Sequence, residues 1–183
     1  MKKLVRRGLH TYGYLLIIAT IITVFATLTT IWVSAVEFDT NYYKYNGEEG
    51  VTITGFNGLS DGENVVIPAK IDGKPILAIE PNGVVTNTSV LGAEKIGTLD
   101  LTQAANLKVI EKDAFYVCSN LTGTIESDTI EEIRNNAFDS CTGLTSLDLP
   151  NLTSVGDYAF SGCTVLTHQI LHLFLMILQD LQV

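Results

Sequence analysis

One phrase recurs three times in this chain: Ala114-Phe115, Ala137-Phe138 and Ala159-Phe160, each followed three residues later by a cysteine, Cys118, Cys141 or Cys163. Three residues beyond each cysteine stands Leu121, Leu144 or Leu166, and four before each alanine stands Ile110, Ile133 or Val155. Five columns therefore advance together in steps of 23 and 22 residues. A period of that length is too long for a heptad and too short for a domain; it lies in the range of solenoids, where each repeat forms one coil packed only on its neighbours.

Each coil shows two kinds of wall. Leu147-Asp148-Leu149 and Leu99-Asp100-Leu101 alternate apolar, polar, apolar, as a strand with one buried face does. Ala114, Phe115, Cys118 and Leu121 are spaced for one face of about two helical turns. A helix that short is far below the roughly 12 to 15 residues needed for marginal stability in isolation, so it persists only by packing on the next coil. Stacking would place Phe115, Phe138 and Phe160 in an internal column, each ring burying about 150–250 Å². These phenylalanines are read as core, without a ligand role.

The repeats resemble the BspA-like leucine-rich repeats of microbial surface proteins, whose unit runs Leu-x-x-Leu-x-Leu-Pro, then Ile-Gly-x-x-Ala-Phe, then x-x-Cys-x-x-Leu. The third repeat follows this pattern nearly residue for residue, from Leu144-Thr145-Ser146-Leu147-Asp148-Leu149-Pro150 to Ser154-Val155-Gly156-Asp157-Tyr158-Ala159-Phe160-Ser161-Gly162-Cys163. The earlier repeats depart from it: Glu111 and Arg134 replace the glycine, and Ser127 replaces the leucine found at Leu149, so a short or irregular second strand is expected. The resemblance covers roughly Tyr42 to Leu166. It implies a leucine-rich repeat solenoid, a right-handed β/α-type superhelix of short parallel strands with short helical or irregular convex turns. It also implies a surface-exposed, adhesin-like module that binds extracellular protein. The competing reading is a truncated fragment of a longer array with no function of its own.

Around the repeats the chain divides into four stretches. Residues 1–35 carry Lys2, Lys3, Arg6 and Arg7, then 19 uncharged residues from Leu15 to Val33, ending in Val33-Ser34-Ala35. This is the layout of a signal peptide cleaved after Ala35, and the run is also long enough for an uncleaved transmembrane anchor. Either way Val36 onward is expected outside the membrane, secreted or at the cell surface. Residues 36–78 show short alternating runs divided by glycines, read as an N-terminal β-strand cap. Residues 79–167 hold the repeats, one decayed, in which Ile79, Gly83, Val84 and Val90 take the spacings of Ile110, Ala114, Phe115 and Leu121. Residues 168–183 form an atypical tail. Its codons read one base earlier from Met176 permit a sequence close to Asp157–Gly162, so a frameshift is one explanation.

Charge narrows the function. The chain has 11 Lys and Arg against 20 Asp and Glu, and setting aside the four N-terminal cations leaves seven against 20, a net charge of −13. Such a field repels phosphate backbones and anionic lipid, which disfavours nucleic acid and leaves the N-terminal segment as the one link to a membrane. No nucleophile elbow, phosphate loop or acid–base pair tied to a histidine is present, so no enzyme and no cofactor are expected. The cysteines fall one per coil at a core position and are odd in number, which favours buried thiols over disulfides or zinc. His168 and His172 have metal-compatible spacing but no third ligand nearby. Asn87, Asn120 and Asn151 fit glycosylation sequons.

The candidate binding residues lie on the strand wall. Aligning Leu99-Asp100, Ile125-Glu126 and Leu147-Asp148, with a few extra residues allowed around Ala104, puts Asp100, Glu126 and Asp148 in one outward column with steps of about 4.8 Å, Thr98 and Ser146 beside it. One reading is that these acids keep an exposed sheet soluble. The other is that the column receives a basic patch on a partner protein or a calcium ion.

Overall fold

The computed structural model describes residues 36–81 and 89–166. The signal or anchor reading of residues 1–35, Gly83 and Val84 of the decayed repeat, Asn87, and the 168–183 tail with His168 and His172 lie outside the described residues. Among the described residues no helix is long and apolar enough to cross a membrane.

Eleven strands are defined in chain order: β1 (Glu37–Tyr45), β2 (Glu48–Asn57), β3 (Glu63–Val66), β4 (Lys70–Ile71), β5 (Lys74–Ile79), β6 (Ile96–Asp100), β7 (Val109–Ile110), β8 (Thr122–Glu126), β9 (Glu132–Ile133), β10 (Gly143–Asp148) and β11 (Ser154–Val155). They build two walls. The first consists of two parallel pairs, β3 with β6 and β8 with β10. In the second, β5, β7, β9 and β11 pair in parallel, and β2 then β1 extend the sheet beyond β5.

The apolar columns read from the repeat occupy the space between the walls. Ile79, Ile110, Ile133 and Val155 are in register along the second wall, and Leu147 pairs with Ile125 on the first. Phe115 and Phe138 are fully buried and stack at 5.1 Å between ring centroids with planes 10° apart. Phe138 and Phe160 stack at 5.5 Å and 3°. Phe56 of β2 continues the column below Phe115 at 6.4 Å, with Phe38 edge-on to it at 5.9 Å.

The convex segments are not helices. Among the described residues helical structure is confined to a three-residue 3₁₀ turn, Ala93–Lys95. Two columns per turn take left-handed backbone: Asp113, Asn136 and Tyr158 with φ of 61°, 56° and 58°, and Val117, Ser140 and Gly162 with φ of 58°, 62° and 70°. A left-handed residue before the alanine and another before the cysteine break any helix, because an L-residue there cannot continue a right-handed spiral. Alternate amides consequently point along the solenoid axis. Asp113, Phe115 and Val117 donate N–H to the carbonyls of Asn135, Ala137 and Asp139, and Asn136, Phe138 and Ser140 donate to Asp157, Ala159 and Ser161. The spacing of one, four and seven identifies the buried residues correctly; the backbone buries them as a stacked, hydrogen-bonded turn.

Each thiol is free and buried. Cys141 Sγ donates to the Phe115 carbonyl and Cys163 Sγ to the Phe138 carbonyl, both at 3.1 Å, so the cysteine column serves as a side-chain ladder between coils. Burial pushes the Cys118 thiol up to about 12 and that of Cys163 up to about 11, leaving both protonated and unreactive at neutral pH.

Candidate functional site

Strand alternation turns Asp100, Glu126 and Asp148 outward beside the buried or half-buried Leu99, Ile125 and Leu147. Asp148 and Glu126 are direct partners in the β8–β10 pair, and Val66 takes the same place opposite Asp100 in the β3–β6 pair. A second outward column runs parallel to the acids. Asn64 pairs with Thr98 and Thr124 with Ser146; the Thr98 hydroxyl donates to Asn64 Oδ1 at 2.7 Å, and the hydroxyls of Thr124 and Ser146 lie 2.8 Å apart. The sequence reading named Thr98 and Ser146 but missed Asn64 and Thr124, which complete their ladders.

The expectation of even steps along the acid column is corrected at one junction. β6 and β8 are not joined by a backbone ladder. From Leu99 to Ile110 the first repeat runs 11 residues, whereas Ile125 to Ile133 and Leu147 to Val155 each run eight. The three extra residues lie in the turn around Ala104, whose backbone closes on itself through Ala104 N–H to Leu101 and Leu107 N–H to Ala104. A side chain bridges the junction instead: Thr122 Oγ1 donates to the Gly97 carbonyl at 2.9 Å. Gly123, with φ of 83°, bends β8 next to that bridge. What remains is a cleft of about 280 Å³ lined by Thr98, Asp100, Thr102, Thr124 and Glu126. It continues past Glu126 to Ser127 and Asp128. Asp100 and Glu126 both line this cleft.

Asp100 has a local task as well. Its Oδ1 accepts the Thr102 amide at 2.9 Å and the Thr102 hydroxyl at 2.6 Å, holding the start of the inserted turn. Those hydrogen bonds, to the hydroxyl first, lower its pKa. Ser127, in the place of a core leucine, is buried and satisfied by Thr129, whose own hydroxyl reaches the carbonyls of Ala104 and Leu107. The second strand is thus irregular at Gly123 rather than shortened by Ser127.

The other wall carries the opposite charge logic. Lys108 pairs with Glu131 at 2.8 Å, and Arg134 holds Glu111 through both carboxylate oxygens at 2.9 and 2.8 Å while reaching Glu132 at 3.2 Å. Lys112 lies 3.7 Å from Asp113 on the adjoining turn. All three cations of residues 96–166 are therefore spent away from the first wall. Asp100, Glu126, Asp128 and Asp148 have no ion pair with any described residue. Nor, among the described residues, do any three Asp, Glu, His or Cys converge to hold a metal ion, so the geometry does not favour calcium over a basic partner.

Two sequons serve the scaffold. Asn120 Nδ2 donates to the Glu94 carbonyl at 3.0 Å and Asn151 Nδ2 to the Asp128 carbonyl at 2.6 Å, each stitching one coil to the preceding one. Thr122 and Thr153 in the same sequons also donate back across a coil, to Gly97 and Glu131.

Comparison with known proteins agrees with this geometry. A leucine-rich repeat protein from Bacteroides ovatus ATCC 8483, known from a crystal structure, matches with a TM-score of 0.51 at 22% identity, over 70% of this chain and 33% of that one. The chain thus spans about a third of that protein. A T. pallidum leucine-rich repeat protein matches with a TM-score of 0.32 at 17% identity, over 75% of this chain and 92% of that one. No curated protein gives a significant match. Residues 93–178 match the family model described as BspA type leucine rich repeat region, in six copies. With three stacked coils that each carry one Ala-Phe and one cysteine, this repeat region is similar to the BspA-type leucine-rich repeat.

Proposed function

We propose that the chain is an extracellular, adhesin-like binding module whose first wall receives a protein partner through a basic patch. The observation that carries this is the sorting of charge: every cation of residues 96–166 is paired on the second wall or its adjoining turn, while four carboxylates on the first wall face solvent without one. A solenoid wall offers a wide, shallow surface, which suits protein contact better than small-molecule capture. The cleft between β6 and β8 gives that surface a recess lined by both Asp100 and Glu126. Arginine or lysine chains from a partner would enter there, and complementary charge would act mainly on association rate and specificity. By family resemblance the partner is a matrix or cell-surface protein, and the chain is secreted or held at the surface by its N-terminal segment.

The test compares the full chain with an Asp100→Asn, Glu126→Gln, Asp148→Asn variant against a panel of matrix and cell-surface proteins at two ionic strengths. The amides keep the Oδ1 acceptor that Thr102 needs. Binding that weakens with salt and falls about tenfold or more in the variant is the expected result. Equal affinity of both proteins for every partner found would refute the assignment.

A further inference from the structure

Beyond β2's pairing with β5, which begins at Val51, the hairpin continues as a two-stranded arm: Tyr42–Tyr45, the Asn46–Gly47 turn and Glu48–Gly50. We infer that this arm is a hinged lid over the outward face of the second wall, and that lifting it opens a second recognition surface for an extended segment bearing tyrosines two residues apart. This surface is separate from the acidic first wall and does not depend on it.

The arm crosses the wall rather than prolonging it. Tyr43 donates its hydroxyl to Glu111, which follows β7, and Tyr45 donates to Glu132 at 2.9 Å and Glu131 at 3.3 Å, one coil further on. Tyrosines at i and i+2 share one face of a strand and lie about 6.8 Å apart, which lets a single strand reach acceptors in two successive coils. Beneath lie Leu77 and Val109, fully buried yet outside the core cluster, since Val109 alternates with the inward Ile110. The charged groups facing the arm are Glu80, Glu111 and Arg134 around Tyr43, and Glu131, Glu132 and Lys108 around Tyr45. The surface thus presents an apolar strip flanked by oriented carboxylates.

The arm holds the wall through the tyrosine hydrogen bonds and through its cover of Leu77, while its own first strand is only partly buried. No residue of β1 is buried, whereas β2 is buried throughout from Gly50 to Phe56. Segments with few buried apolar contacts open at low free energy without global unfolding. Gly50 is the natural hinge: a Cβ there would stand 2.4 Å from the Pro75 carbonyl oxygen, so only glycine lets the arm pass this close. The Asn46–Gly47 turn, with φ of 47° and 93°, suits a tight two-residue hairpin, so the arm would lift as an intact ribbon.

The experiment uses the full chain and a Tyr43→Phe, Tyr45→Phe variant, followed by hydrogen exchange and by binding of a labelled synthetic peptide of residues 40–47. Amides of Tyr42–Gly50 should exchange at least about tenfold faster in the variant, with those of Phe115 and Phe138 unchanged. The peptide should bind the variant at least about tenfold more tightly than the native chain, and a peptide with the residues matching Tyr43 and Tyr45 replaced by phenylalanine, Tyr42 kept, should lose that binding. Unchanged arm exchange would overturn the lid, and equal peptide binding to both proteins, or none to either, would overturn the surface. If the double variant does not fold, Tyr45→Phe alone is read by the same outcomes.

Discussion

Truncating the middle ring of the phenylalanine column tests whether stacking, rather than burial alone, holds the coils together. Phe138 is fully buried and has a parallel ring on each side, at 5.1 and 5.5 Å, whereas Phe160 is 7% exposed and has one described ring partner. Phe138→Ala removes apolar contact and leaves a cavity, which costs about 3–5 kcal/mol. At about 2–4 °C per kcal/mol for a chain of this size, the melting midpoint should fall by about 6–20 °C. Phe138→Leu keeps most of the volume and removes both ring pairs, worth about 0.5–1.5 kcal/mol each, so it should cost about 1–3 kcal/mol. Phe160→Ala should be milder than Phe138→Ala, with one ring pair lost at a partly exposed site. Urea unfolding with unchanged m-values checks the order. A midpoint for Phe138→Ala no lower than for Phe160→Ala would refute the stacked-coil reasoning, and a neutral Phe138→Leu would show that the rings act only as apolar filler.

Replacing Asp100, Glu126 and Asp148 by their amides should leave the fold intact and raise the low-salt midpoint slightly, because Glu126 and Asp148 are direct like-charged partners; a loss of stability at every ionic strength would contradict this. All three thiols should resist iodoacetamide at pH 8 in the native chain and react fully in urea, and rapid alkylation of the native protein would place them at the surface. Burial and the Glu132 hydrogen bond push the Tyr45 phenol up to about 12, and burial with Glu111 raises Tyr43 as well. The folded state then holds protons that the unfolded chain releases from about pH 10, so stability is fully present below pH 10 and falls as pH rises towards 12. Tyrosinate absorbance rising in step with arm exchange would bear this out, and normal titration of both phenols would contradict it. Arg134→Gln should destabilise by about 1–3 kcal/mol, less than for a fully buried pair because Arg134 is half-exposed, by leaving the buried Glu111 carboxylate without its bidentate partner. A Tm unchanged from the native chain would refute that account.

Periodicity alone determined the solenoid and its core. Five columns at a 22–23 residue step must stack, and every one of Ile110, Ala114, Phe115, Cys118 and Leu121 is buried with its equivalents, apart from the half-buried Val155. The outward direction of Asp100, Glu126 and Asp148 followed from the same kind of reading, because a strand has a period of two wherever it sits. Backbone path was not. Spacings of one, four and seven fit a helix as well as a turn with left-handed residues at Asp113 and Val117, and only the amide ladder between coils selects the turn. The extra residues around Ala104 were visible in the sequence, but not that β6 and β8 would lack a ladder, since an insertion breaks pairing only when the neighbouring coil is in place. The arm over the second wall depends most on tertiary structure. Tyr43 and Glu111 are 68 residues apart, and Tyr45 and Glu132 are 87 apart, so nothing in either segment indicates the other until the coils stack and bring their acids beneath the hairpin.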